Sequence, residues 1–128
     1  INVFAKERSD VVIHSNRIAV ESIFSNLLDN AIEHGKHCEP ISVYIGKTQS
    51  GQAQIEVTNT THTEIDESDL RHMFEPLWQK DASRTSEDNF GLGLSIVSAL
   101  CGAIGADVSV YKLDHNHISF SVTFKKAS

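Results

Sequence analysis

Asn26-Leu27-Leu28-Asp29-Asn30-Ala31-Ile32-Glu33-His34 is the stretch on which the reading of this chain turns. It sits in a segment whose apolar residues Val20, Ile23, Phe24, Leu27, Leu28, Ala31 and Ile32 recur at helical spacing and share one broad face. Ser15 or Asn16 supplies an N-cap, because either side chain can accept a hydrogen bond from a free first-turn amide. Gly35 supplies the stop, so the spacing predicts a helix ending at about His34. At about 100° per residue, Asn26 and Asn30 stand one above the other at the edge of the apolar face, with Glu33 beside them. A helix built this way packs its hydrophobic side on a sheet while its margin lines a pocket. An asparagine carbonyl oxygen is a hard, neutral ligand suited to a Mg²⁺ ion that shares its charge with phosphates. The same spacing also fits two solvated helix asparagines.

Outward from this helix, strands flank it on both sides. Ile1–Ala5 and Val11–His14 read as short strands around a polar turn. Beyond the helix, Ile41, Val43 and Ile45, then Ile55 and Val57, alternate as inward positions of a hairpin turned at Ser50-Gly51. Asp66–Phe74 is expected as a short helix with Leu70, Met73 and Phe74 on its buried side, and residues 79–90 as a mobile polar loop. Gly91–Ile104 is a second apolar helix opened by glycines. Val108–Tyr111 and Ile118–Phe124 form a closing hairpin around Asp114-His115-Asn116. Ile118, Phe120, Val122 and Phe124 alternate strictly, so one face of that strand is core and the other is open or under a helix. The sum is an α/β sandwich: a mixed, mainly antiparallel sheet with helices on one face.

Bulk composition narrows the function classes. The 128 residues are 40% hydrophobic and 22% charged, as in an ordinary soluble domain, and are expected to form one domain over 1–128. A net charge of −6 argues against a general nucleic-acid or anionic-membrane binder, which needs clustered Lys and Arg. It does not exclude ATP, since backbone amides and a metal ion handle phosphate locally. No apolar run approaches the roughly 18 residues of a membrane span, and Ile1 begins no signal peptide. A chain that opens in mid-strand is expected to be a fragment whose parent has room for membrane segments. Cys38 and Cys101 lack metal spacing, as in a reduced intracellular domain. His34, His37 and Cys38 bunch at a helix end, but no fourth ligand stands at a recognisable distance for zinc.

Gly91-Leu92-Gly93-Leu94 opens the second apolar helix. Glycines there let backbone approach a phosphate, and the free amides with the positive helix end attract it. Taken alone, two glycines opening a helix are more often a plain loop-to-helix joint. It is neither a P-loop, since no Gly-Lys-Ser/Thr follows, nor a dinucleotide fingerprint, since no strand precedes it.

The order of the motifs resembles the sensor histidine kinases, in the wider ATPase family that includes gyrase, Hsp90 and MutL. Asn26–His34 matches that family's N box, Phe74-Glu75-Pro76-Leu77-Trp78 its F box and Gly91–Leu94 its second glycine box, over about Ser15 to Phe124. The gyrase and Hsp90 branches fit less well, because they carry a glutamate base where Asn26 stands. The resemblance implies a Bergerat-type ATP-binding fold with the nucleotide between the Asn26–His34 helix and the lid loop. It implies that Asn30 coordinates Mg²⁺ and that Asn26 lies near the phosphates, both with catalytic roles. His34 packs near the base or ribose, with Glu33 close by. The amides around Phe90, Gly91, Leu92, Gly93 and Leu94 hold the terminal phosphates, and Lys80 and Arg84 belong to the lid.

The sequence departs from the family's pattern in several places, one of them Asn89-Phe90 ahead of the second glycine box, where a small residue or Gly is usual. The family's first glycine box reads Val-x-Asp-x-Gly-x-Gly-Ile, and its Asp accepts a hydrogen bond from the adenine amino group. Here the stretch is Val57-Thr58-Asn59-Thr60-Thr61-His62-Thr63-Glu64-Ile65, with Asn59 in place of Asp, no glycine, and one extra residue before Ile65. The amide of Asn59 still offers an acceptor. A lysine that the family often carries at the Glu33 position is absent too. None of the seven histidines has the His-Glu or His-Asp setting of the family's phosphoacceptor. The phosphate acceptor is therefore expected on a dimerisation domain elsewhere in the parent, with a response regulator downstream. The expected placement is a cytoplasmic domain, with an inner-membrane receptor as one possible parent. Two rivals stay open: a docking or regulatory module of the same fold that makes little use of nucleotide, and an anti-sigma-type protein serine kinase.

Overall fold

The computed structural model describes residues 3–6, 13, 15–34, 39–61, 66–75, 93–114 and 116–125. Its elements run β1 (Val3–Lys6), α1 (Arg17–His34), β2 (Ile41–Lys47), β3 (Ala53–Thr60), α2 (Glu67–His72), α3 (Gly93–Ile104), β4 (Asp107–Lys112) and β5 (His117–Thr123). Lys6 belongs to the first strand rather than to a turn. Of the expected strand Val11–His14 only Ile13 is described; it lies outside any element and packs against the core.

The five strands form one sheet in the order β1-β2-β3-β5-β4. β1 pairs parallel with β2, and every other pairing is antiparallel. This is the mixed, mainly antiparallel sheet expected from the alternation. Gly51, at φ 87°, turns the β2–β3 hairpin, which closes with Thr48 N donating to Gln52 O at 2.8 Å. A side chain at that φ is strained, so glycine suits the position. Tyr111↔Ser119, Val110↔Phe120 and Val108↔Val122 set the β4–β5 register.

One face of the sheet carries the core. Val43, Val57, Phe120 and Val122 stand in register across β2, β3 and β5, and meet Ile23, Leu27 and Ala31 of α1 and Val97 and Cys101 of α3. α1 is capped as its sequence suggests, Ala19 N donating to Asn16 Oδ1 at 3.0 Å. One member of its apolar set departs from expectation: Ile32 is 46% exposed. Five residues of about 100° place it roughly 140° around the helix from fully buried Leu27, beyond the reach of the sheet. α3 ends in a Schellman motif, with Ala106 N on Cys101 O, Gly105 N on Gly102 O, and Gly105 at φ 75°.

The outward face of β5 is not open. Ser119 is 0% and Ser121 5% exposed, and both are held by polar side chains of the neighbouring strand. Thr58 Oγ1 donates to Ser119 Oγ at 2.9 Å, Gln54 Nε2 to Ser121 Oγ at 3.0 Å, and Tyr111 OH to Glu56 Oε2 at 2.7 Å. Strict alternation correctly gives the inward set. It does not reveal that the serines on the other side are buried and hydrogen-bonded across the sheet.

α2 is shorter than the expected Asp66–Phe74. Asp66 is its N-cap in a reciprocal capping box, Asp69 N donating to Asp66 Oδ1 and Asp66 N to Asp69 Oδ2. Leu70, Met73 and Phe74 pack against the core as expected. The Phe74 ring meets Phe120 edge-on, with centroids 6.1 Å apart and planes at 86°. No described helix is long and apolar enough to cross a membrane.

Candidate functional site

α1 contacts both β3 and α3, and this packing brings two of the sequence motifs together. Asn26 is half-buried on α1. Its Nδ2 donates to Ser22 O at 2.8 Å and reaches Ser22 Oγ at 3.3 Å. With the amide nitrogen held back along its own helix, Oδ1 faces α3 and lies 3.5 Å from where a Cβ on Gly93 would stand. Gly93 is the first residue of α3, so the side-chain oxygen sits beside the amide-rich end of that helix. Residues 67 positions apart in sequence thus meet at one margin of the helix layer. Ser22, which orients Asn26, was not singled out from sequence; a hydroxyl four residues before a helix asparagine is the signal that points to it.

Asn30 is half-buried one turn beyond Asn26, and Glu33 is half-buried further along the same margin. His34 closes α1, with its side chain outside the described residues. Leu94 packs against the core. Ile65, Lys80, Arg84, Phe90, Gly91 and Leu92 lie outside the described residues, as do the loop 79–90 and the His37 and Cys38 of the zinc arrangement. Among the described residues no group of His, Cys, Asp and Glu is arranged to hold a metal.

Asn59 is the most distinctive side chain of the site. It faces the core side of β3, in register with Ile118, and is 3% exposed. Nδ2 donates to the Thr60 carbonyl at 3.2 Å, while Oδ1 is buried without a hydrogen-bond partner. Among the described residues it is the sole buried side-chain polar atom in that condition. Leaving such an acceptor unsatisfied costs about 1–3 kcal/mol, so the atom fits a donor brought by a ligand. Just beyond it the strand is pinned: Thr61 N donates to Asn116 O at 2.6 Å, and Thr61 Oγ1 to the same oxygen at 3.3 Å. The β4–β5 tip that supplies this anchor is itself held by Asp114. Its carboxylate accepts from the amides of Asn116 and His117 and pairs with His117 Nδ1 at 2.7 Å. The His117 bond, aided by these amides, holds the Asp114 carboxyl below the usual carboxylate range. Sequence reading gave this hairpin no part in the site, although it props the strand that carries Asn59.

A five-stranded mixed sheet with helices on one face, an N-x-x-x-N helix margin and a glycine-led helix beside it make up a Bergerat-type α/β sandwich. Residues 15–128 match the family described as histidine kinase-, DNA gyrase B-, and HSP90-like ATPase, and the chain belongs to that family. It is 32% identical over 108 residues to the sensor protein VanSC of Enterococcus gallinarum, covering 84% of this chain and 29% of that protein. It is 31% identical over 119 residues to the sensor histidine kinase YcbM of Bacillus subtilis, covering 91% and 37% respectively. The chain therefore spans about a third of the length of these relatives. Among solved structures, the mycobacterial sensor histidine kinase MprB superposes with a TM-score of 0.81 at 20% identity, over 96% of this chain and 82% of that one. Full-length ShkA in complex with AMPPNP gives 0.78 at 21% identity, over 99% and 26%. These likenesses establish the fold. The family match and these relatives set the chain beside sensor proteins and sensor histidine kinases.

Proposed function

We propose that residues 1–128 act as one catalytic unit that binds Mg-ATP and passes the γ-phosphate to a histidine on a dimerisation domain outside this chain, serving a downstream response regulator. The observation that carries the ATP reading is the buried, unpartnered Oδ1 of Asn59. By its position in the first glycine box it would be the acceptor for the adenine amino group, and an amide oxygen accepts that bond as a carboxylate does, though more weakly. Asn26 and the first turn of α3 would flank the phosphates, and the amide oxygen of Asn30 would hold Mg²⁺. The metal, when bound, neutralises phosphate charge. Glu33, His34 and Leu94 would line the nucleotide, with Ile65, Lys80, Arg84, Phe90, Gly91 and Leu92 completing the site from the glycine boxes and lid. The family's phosphoryl transfer asks little covalent chemistry of the protein, so these residues position and shield rather than react. A cytoplasmic placement follows from ATP as substrate.

The relatives named as a sensor protein and a sensor histidine kinase support this reading, as does the AMPPNP complex of ShkA. Calorimetric titration of this chain with ATP, with and without Mg²⁺, tests it. Binding at about 10–100 µM, roughly 5.5–7 kcal/mol, is expected with the metal. Mixed with the parent's helical dimerisation domain, the chain should then label that domain with acid-labile phosphate. No nucleotide binding would leave a docking module, and acid-stable label on serine would mark an anti-sigma-type kinase.

A further inference from the structure

A carboxylate at the base-reading position can only accept hydrogen bonds, and so discriminates sharply between a 6-amino and a 6-oxo purine. Asn59 carries a donor and an acceptor on one planar group. Its acceptor has no partner, and its donor makes one bond, to the carbonyl of the adjacent Thr60 at 3.2 Å, the long end of the usual range. Half a turn about the last side-chain bond gives up that single contact and presents Nδ2 where Oδ1 stood. We propose that this site accepts 6-oxopurine nucleoside triphosphates, of the inosine type, as well as ATP, with Asn59 reversing its amide to donate to the exocyclic 6-oxygen.

The inference rests on the nucleotide reading of the site and adds the breadth of its substrate class. The reversed amide turns its oxygen toward the Thr60 carbonyl, so ATP keeps the advantage. That advantage is about tenfold, the worth of one neutral hydrogen bond. The neighbouring ring nitrogen changes from acceptor in adenine to donor in hypoxanthine. A water bridging that nitrogen to the protein can donate or accept. A carboxylate in place of Asn59 would set two acceptors face to face, and sites built that way reject the mismatched analogue by orders of magnitude.

The test titrates this chain with Mg²⁺ complexes of ATP, ITP and the triphosphate of purine riboside, which has no substituent at the 6-position. ATP and ITP should both bind more tightly than the unsubstituted nucleotide, and within about tenfold of each other. Asn59→Asp should strengthen ATP and weaken ITP, widening their ratio beyond about a hundredfold. A melting curve for this variant separates misfolding from altered recognition, and the wild-type comparison stands without it. ITP binding no tighter than the unsubstituted nucleotide overturns the inference while leaving the ATP site intact. If none of the three binds, the nucleotide reading itself fails and this inference with it.

Discussion

The side-chain oxygen of Asn26 and the α-carbon of Gly93 face each other across the α1–α3 contact, with 3.5 Å between that oxygen and the place a Cβ would occupy. That separation is ordinary van der Waals contact, so alanine fits at 93 without moving either helix. Alanine also favours helix by up to about 1 kcal/mol over glycine.

Gly93→Ala should therefore melt at the wild-type temperature or slightly above it. Its methyl group would nevertheless stand beside the Asn26 oxygen, at the margin where phosphate is proposed to sit. Mg-ATP affinity should fall about fivefold or more, roughly 1 kcal/mol. Thermal melting and calorimetry on the same sample make the comparison. A variant that is both stable and fully competent to bind would reduce this contact to a packing joint.

Asn30 is one turn from Asn26 and half-buried on the same margin. Asn30→Ala keeps a good helix former in the middle of α1, so the fold should survive. Nucleotide affinity without metal should change little, and the increment on adding Mg²⁺ should largely vanish. Titration of both proteins with and without the ion reads this out, and a wild-type metal increment in the variant would unseat Asn30 as the ligand.

Much of the architecture was legible because two periodicities dominate the chain. The 3.6-residue pattern of α1 and the twofold pattern of β5 name Leu27, Ala31, Phe120 and Val122 correctly, and all are buried. What was not legible depends on neighbours distant in sequence. Nothing near Ser119 says that Thr58, 61 positions away, donates a hydrogen bond to it. Nothing in the motif around Asn59 says that Asn116 anchors the strand beside it. The Asn26–Gly93 contact was legible only as two separate motifs, since their meeting depends on how α1 and α3 pack.

Tyr44 and Gly46 share the outer face of β2, two residues apart. A Cβ on Gly46 would collide with the phenol end of Tyr44. The ring is the mobile partner, so Gly46→Ala should displace it rather than break the strand, costing about 1 kcal/mol in overpacking. In a Tyr44→Ala background the obstacle is gone, and the same alanine should be neutral or mildly favourable, since glycine weakens a strand interior. Urea denaturation of the four proteins gives the coupling directly. Additive effects would mean that the ring does not govern position 46.

Cys101 is 1% exposed in the core between α3 and the sheet. Burial, with the Asp107 carboxylate adding to it, raises its thiol from 9.0 to about 11. The sign of the linkage follows. Between these values the unfolded chain has released the proton while the folded chain retains it, so unfolding releases a proton and alkali favours it. This contribution is intact below about pH 9 and is lost progressively as the pH rises toward 11. Denaturant midpoints measured from pH 8 to 11 should therefore fall more steeply for the wild type than for Cys101→Ala. The variant starts less stable, because it loses buried volume, but it has no thiol to titrate. Tyr111 also has its pKa raised, chiefly by burial. It is common to both proteins, so the difference between their slopes isolates the thiol. Iodoacetamide at pH 8 should likewise leave Cys101 unmodified in the folded chain and label it in urea, since the thiolate is the reacting form. Parallel pH profiles for the two proteins, or rapid native labelling at Cys101, would show that the thiol ionises as freely in the fold as in the open chain.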